Sequence, residues 1–136
     1  MPNKTDNIAH QPNQIAERVA AFLKEGNLEG VVSMFHPECS IYFPLDEAPK
    51  VGHTGVREVF ADFVEARPTL VSTVTHESTN GSIAVLQAKW RLEESDGVLI
   101  AEGFSTEVAK KLANGGWGYF IDCPIGLPQL SSVNVV

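Results

Sequence analysis

The stretch that decides the fold is Asn80-Gly81-Ser82-Ile83-Ala84-Val85-Leu86-Gln87-Ala88-Lys89-Trp90-Arg91-Leu92-Glu93-Glu94-Ser95-Asp96-Gly97. Between its two turn dipeptides the side chains alternate. Ala84, Leu86, Ala88, Trp90 and Leu92 share one face, and Gln87, Lys89, Arg91 and Glu93 mostly take the other. A period of two with one apolar and one polar face describes an antiparallel strand with a single wet side. Asn80-Gly81 is a strong hairpin signal because both residues accept the positive φ of a type I′ turn. Asp96-Gly97 marks the next turn in the same way.

On either side the pattern continues. Thr69 to Thr79 is rich in β-branched residues and reads as the preceding strand. Val98 to Leu112 is a third long strand, Asn114-Gly115-Gly116 turns the chain, and Trp117 to Cys123 is the last strand, stopped by Pro124. On the third strand Ala101, Gly103, Ser105, Glu107 and Ala109 share a face of small side chains around one carboxylate. Val98, Ile100, Phe104 and Val108 oppose it.

The first half carries a different period. Ile15, Val19, Phe22 and Leu23 form one apolar helical stripe, with Pro12-Asn13 suited to its start and Gly26 to its end. Leu28 to Phe35 reads as a second helix capped by Asn27 and ended by His36-Pro37, since a residue before proline avoids helical angles. Ser40 to Phe43 is a short apolar run and an expected strand. Pro44 to Thr54 is a loop, after which Thr54 can cap a third helix. Val56, Val59, Phe60, Phe63 and Val64 line one face of that helix, and Arg67-Pro68 ends it. A sheet whose helices all precede it must curl around them to bury its apolar face. The expected architecture is therefore α+β: three helices in the first half packed on a strongly curved, mostly antiparallel sheet, a cone with a pocket inside.

The chain of 136 residues is expected to form one domain over residues 13–124, with a flexible N-terminal tail over 1–12 and a C-terminal tail over 125–136. Hydrophobic residues at 43% are enough for a sizeable core. A net charge of −7 repels phosphate backbones and anionic membrane surfaces, so neither nucleic acid nor membrane is an expected partner. Met1 to Gln14 is polar and lacks the apolar core of a secretory signal, which points to a cytoplasmic location. Cys39 and Cys123 are far apart and outside any Cys-x-x-Cys pair. No two histidines share a ligand spacing, so no metal site is expected. Gly115-Gly116 lacks the strand-to-helix context of a phosphate-cradling loop, no nucleophile elbow exists, and no cofactor is expected.

The order α-α-β-α-β-β-β-β resembles the nuclear-transport-factor-2-like superfamily, whose SnoaL-like and ketosteroid-isomerase-like members share a cone-shaped, cystatin-like fold. Glu25-Gly26-Asn27-Leu28-Glu29-Gly30-Val31 is similar to that family's link between its first two helices. Val51-Gly52-His53-Thr54-Gly55-Val56-Arg57-Glu58 is similar to its entry into the third helix, and Gly115-Gly116-Trp117 through Asp122 to its closing strand. The resemblance covers roughly residues 12 to 124 and implies the fold. It also implies a homodimer through the outer sheet face, which is common in the family. It does not imply one chemistry, since members include isomerases, polyketide cyclases, dehydratases and epoxide hydrolases. The ketosteroid isomerase set is absent here. By local alignment its carboxylate base falls near Phe43 and its oxyanion tyrosine near Val19, and only its buried acid has an occupant, Glu107.

Two residues are candidates for acid–base work. Glu107, if its small face looks into the cone, would be a buried acid favoured in its neutral form. His53 sits just before the third helix, near the expected mouth, where a neutral imidazole can accept a proton or orient a ligand. Tyr42, Phe60, Phe63, Trp90 and Phe120 are the candidate walls of an apolar ligand pocket. Asp122 reads as a capping or surface-bonding group at the end of the closing strand. The expected function is binding of a small hydrophobic molecule in the cone. The alternatives are a cofactor-independent isomerase, cyclase or dehydratase using His53 and Glu107, and a dimeric interaction module without a ligand.

Overall fold

The computed structural model describes residues 7–130. A short 3-10 turn, Pro12–Gln14, leads into α1 (Ile15–Glu25), followed by α2 (Leu28–Ser33), β1 (Phe35–Ile41), β2 (Lys50–Val51) and α3 (Gly52–Ala66). Four strands complete the chain: β3 (Thr69–Asn80), β4 (Ile83–Glu93), β5 (Leu99–Lys111) and β6 (Trp117–Cys123). They form one six-stranded sheet in the order β2-β1-β6-β5-β4-β3. All neighbours are antiparallel except β1 and β6, which run parallel. The protein is thus the expected α+β arrangement of three helices on a mostly antiparallel sheet.

The helices force the sheet to bend. α3 lies on β1 and α1 reaches β3, although those strands stand near opposite ends of the sheet order. The Lys24 ammonium at the end of α1 donates to the Thr69 hydroxyl, 2.6 Å away, where β3 begins. The buried core fills the enclosed side with Ile15 and Leu23 from α1, Val31 from α2, Phe35 and Ile41 from β1, Val56 from α3 and Leu86 from β4. Alternation on β4 holds as read: Ala84, Leu86, Ala88 and Leu92 are buried, with Trp90 half-buried beside them.

Several local readings hold and others need correction. The Asn27 side chain accepts from the Gly30 amide at 2.9 Å, and Gly26 closes α1 at φ 70. α2 ends at Ser33, however, and His36-Pro37 lies inside β1, which begins at Phe35 rather than Ser40. Pro37 is tolerated there because the β1–β6 register shifts between Phe35 and Ser40, and a proline belongs where the ladder is broken. Thr54 is no cap. β2 passes straight into α3 through Gly52, whose φ of 66 makes the corner, and Val51 holds the cap position without a side-chain bond.

The hairpin after β3 also closes differently. Asn80 pairs with Ile83, so the corner residues are Gly81 and Ser82, and only Gly81 has positive φ. A glycine first and an ordinary residue second is the II′ pattern rather than I′. Pairing Leu70 with Leu92 and Val74 with Ala88 turns both apolar faces inward but leaves an odd residue at the corner. A bulge between the Val74 and His76 pairs absorbs it.

Residues 7–12 include more than the expected tail. Ala9 is fully buried and its carbonyl accepts from the Trp117 amide at 2.8 Å, while Met1 to Asp6 lie outside the described residues. At the other end Pro124 and Ile125 pack over Gly103, and the Trp90 indole donates to the Pro124 carbonyl at 2.6 Å. Residues 131–136 of the expected C-terminal tail also lie outside the described residues.

Candidate functional site

The small face of β5 looks into the cone. Ser105, Glu107 and Ala109 are buried, and Phe104 on the opposite face is 71% exposed. In front of the small face lies a cavity of about 110 Å³. Its walls are apolar: Val19 and Leu23 of α1, Phe35 and Ile41 of β1, Val59, Phe60 and Phe63 of α3, Leu70 of β3, Trp90 and Leu92 of β4. Phe35 links two of these elements to the floor, with its ring 5.8 Å from Phe60 and 5.5 Å, edge-on, from Tyr119. The polar groups gather at one end, where Ser105 and Glu107 of β5 meet Tyr119 and Asp122 of β6. A groove of about 310 Å³ adjoins the cavity and shares Phe43, Val59 and Phe63 with it. Glu47, Glu58 and Asp62 line that groove, with Lys50 bridging Glu47 and Glu58 at 3.1 and 3.3 Å.

Strand register explains how two carboxyls meet. Glu107 is paired with Asp122 and Ala109 with Tyr119, although 119 and 122 differ in parity and would sit on opposite faces of a regular strand. Between those pairs the ladder slips by one residue on β6, and the slip turns both Tyr119 and Asp122 inward. Glu107 and Asp122 are each only 7% exposed. Burial pushes the Glu107 carboxyl up to about 7, against a hydrogen bond from Ser105 that pulls it down. Burial, and then the neighbouring Glu107 charge, hold the Asp122 carboxyl well above the ordinary carboxylate range. The Tyr119 phenol is also raised, by burial first and the two acids second. Two like charges this close and this buried cannot both form cheaply, so the pair keeps a proton at neutral pH.

The Asp122 carboxyl has a further property. Among the described residues no backbone or side-chain donor bonds its oxygens, and no sealed side-chain oxygen lacks a partner. The Asp122 oxygens therefore open onto the cavity.

A family model for the SnoaL-like domain matches residues 16–110. This chain belongs to the SnoaL-like family. Solved structures similar to this SnoaL-like chain support the same fold. A Mycobacterium tuberculosis protein of unknown function is 16% identical over 91% of this chain and 79% of its own, with a TM-score of 0.71. A Nostoc punctiforme protein of unknown function with a cystatin-like fold is 15% identical over 87% and 90%, with a TM-score of 0.70. An NTF-2-like protein of unknown function from Shewanella oneidensis is 13% identical over 89% and 98%, with a TM-score of 0.69. No functionally curated protein matches the chain in sequence.

Of the residues singled out from sequence, the structure brings Phe60, Phe63, Trp90 and Glu107 to the cavity of the SnoaL-like domain. Three others lie elsewhere. His53 is in the first turn of α3, and its Nε2 donates to the Phe35 carbonyl at 2.8 Å, a bond that ties α3 to β1. It is not part of the cavity wall, so it does not converge with Glu107. The Tyr42 amide donates to the Asp122 carbonyl at 2.9 Å, continuing the β1–β6 pairing, but its ring is not in the wall. Phe120 faces outward, between the His36 ring at 5.2 Å and the Lys110 ammonium at 4.4 Å from its centroid. The same slip that turns Asp122 in turns Phe120 out.

Sequence reading missed Asp122 and Tyr119. Asp122 is neither a cap nor a surface group but the second acid of the floor. The available signal was composition, an aspartate set between Ile121 and Cys123 next to a strand-ending proline. Both cysteines are buried and free, and burial pushes each thiol up to about 11. Among the described residues no group of three or more His, Cys, Asp or Glu is arranged to hold a metal, and no helix is long and apolar enough to cross a membrane.

Proposed function

We propose that this SnoaL-like chain binds a small, largely apolar molecule inside the cone, with the molecule's polar group seated against Glu107, Asp122, Tyr119 and Ser105. The observation that carries the reading is a largely apolar cavity with a buried carboxyl, Asp122, that opens onto it and accepts no hydrogen bond from a donor among the described residues. A buried polar group without a partner costs stability unless something else satisfies it. A ligand with a hydrogen-bond donor does so. Trp90 lines the cavity and reports occupancy, whereas Trp117, whose amide donates to the Ala9 carbonyl, is not in the wall. Titrating the protein with small aromatic alcohols, phenols and amines is expected to change Trp90 fluorescence saturably. Ala101→Phe, which fills the cavity from its wall, is expected to abolish the response. Silence across the panel would refute the proposal.

A second reading has its own support. An acid raised to about 7 beside a second raised acid can give and take a proton near neutral pH, as cofactor-independent isomerases, cyclases and dehydratases require. In that version the working pair is Glu107 and Asp122, and His53 has no part in it. Proton exchange into a bound enolisable ketone, lost in Glu107→Gln, is the expected readout.

The outer sheet face supports a second copy as partner. Phe104 is 71% exposed, with Val71 at 50% and Val85 at 44% on the neighbouring strands, and the family resemblance favours a homodimer through that face. Sedimentation of the intact chain tests it.

A further inference from the structure

The floor of the cavity holds two carboxyls and, among the described residues, no counter-cation. Among the described residues no Lys, Arg or His lines the cavity, and the adjacent groove carries the acids Glu47, Glu58 and Asp62 with Lys50. α1, α3, β3 and β4 present no titratable group to the pair, and the groups that do face it, Tyr119, Cys39 and Cys123, all stay neutral at physiological pH. The rings of Phe35, Phe60, Tyr119 and Trp90 line the same wall. Paired carboxyls, aromatic rings and acids on the adjacent groove suit a desolvated organic cation, and an anion would meet only repulsion.

We propose that the cavity selects a small apolar amine in its protonated form, with the ammonium between Glu107 and Asp122 and the hydrocarbon part against the aromatic wall. This rests on the ligand-binding reading and names the ligand's class. The ammonium donates to the unpartnered Asp122 oxygens and supplies the positive charge that lets the pair ionise. Each amine bound below neutral pH therefore releases a proton from the pair to solvent, and nothing covalent changes. A neutral alcohol of the same shape satisfies Asp122 without displacing that proton.

The test compares benzylamine with benzyl alcohol by calorimetry from pH 5.5 to 8.5, in two buffers of different ionisation enthalpy. At pH 8, benzylamine is expected to bind at least tenfold tighter than benzyl alcohol. Its affinity is expected to fall by up to tenfold per pH unit below 7, with close to one proton released per molecule bound at pH 6, while the alcohol shows neither trend. Asp122→Asn and, in parallel, Glu107→Gln are expected to cost the amine tenfold or more, and more than they cost the alcohol, in protein whose circular dichroism spectrum is unchanged. Equal or tighter binding of the alcohol, or amine binding without proton release, overturns the amine inference while the pocket reading stands. Binding of neither compound, together with a silent Trp90 panel, overturns both.

Discussion

Replacing Glu107 by glutamine should make this protein more stable at alkaline pH, an unusual outcome for a buried-residue substitution. The carboxyl rests at about 7 in the folded protein against an ordinary value of 4.5. Below pH 4.5 folded and unfolded chains both hold the proton, and the full stability is present. Between 4.5 and about 7 the unfolded chain has released it and the folded chain has not, so stability falls as pH rises and levels off above 7. At about 1.4 kcal/mol per unit the loss is on the order of 3 kcal/mol. Glutamine cannot ionise, keeps the volume, and offers an amide donor to the open Asp122 oxygens. Relative to wild type, E107Q should therefore gain on the order of 3 kcal/mol between pH 4.5 and pH 8, roughly 10 °C in Tm for a chain of this length. Urea unfolding at half-unit pH steps reads the difference directly. A wild-type-minus-variant difference that stays flat across that range would refute the claim that this acid is held neutral by burial.

Other outcomes follow from single contacts. A methyl group added at Gly30 would overlap the Phe22 ring where α2 crosses α1, so Gly30→Ala should cost about 1–3 kcal/mol in chemical unfolding despite alanine's better helix propensity. His53→Ala should lose about 1 kcal/mol with its bond to the Phe35 carbonyl, yet leave ligand titrations of Trp90 unchanged; altered affinity would place the imidazole in the site after all. Phe104→Glu should abolish self-association in sedimentation velocity without changing cavity binding, since that ring stands on the outer face.

The fold was legible because its signals are local and repeated. The alternation from Ala84 to Leu92, the β-branched run before it and the glycine corners specify a meander, and the helical stripes ahead of it specify what the meander must cover. The two faces of β5 were also legible, small residues around Glu107 against Val98, Ile100, Phe104 and Val108, but which of them turns inward was not. What sequence could not supply is parity after an irregularity. One slipped residue on β6 puts Phe120 and Asp122, which a regular strand would place on one face, on opposite faces, and nothing in Tyr119-Phe120-Ile121-Asp122 announces where the slip occurs. The same holds for β1, whose start was hidden by a proline that the broken β1–β6 register accommodates. His53 was misplaced for a different reason. Its nearness to the α3 start was readable, but the Phe35 carbonyl that captures its ring belongs to a strand that was read as beginning later.

Carbon-detected NMR of the Glu107 and Asp122 carboxyl carbons, followed from pH 3 to pH 9 in the unliganded protein, tests the site most directly. Glu107 is predicted to titrate with a midpoint near 7 and Asp122 to keep the chemical shift of a neutral acid beyond that point. Two independent transitions near pH 4 would mean that the acids are solvated and separate, and the site described above would not exist.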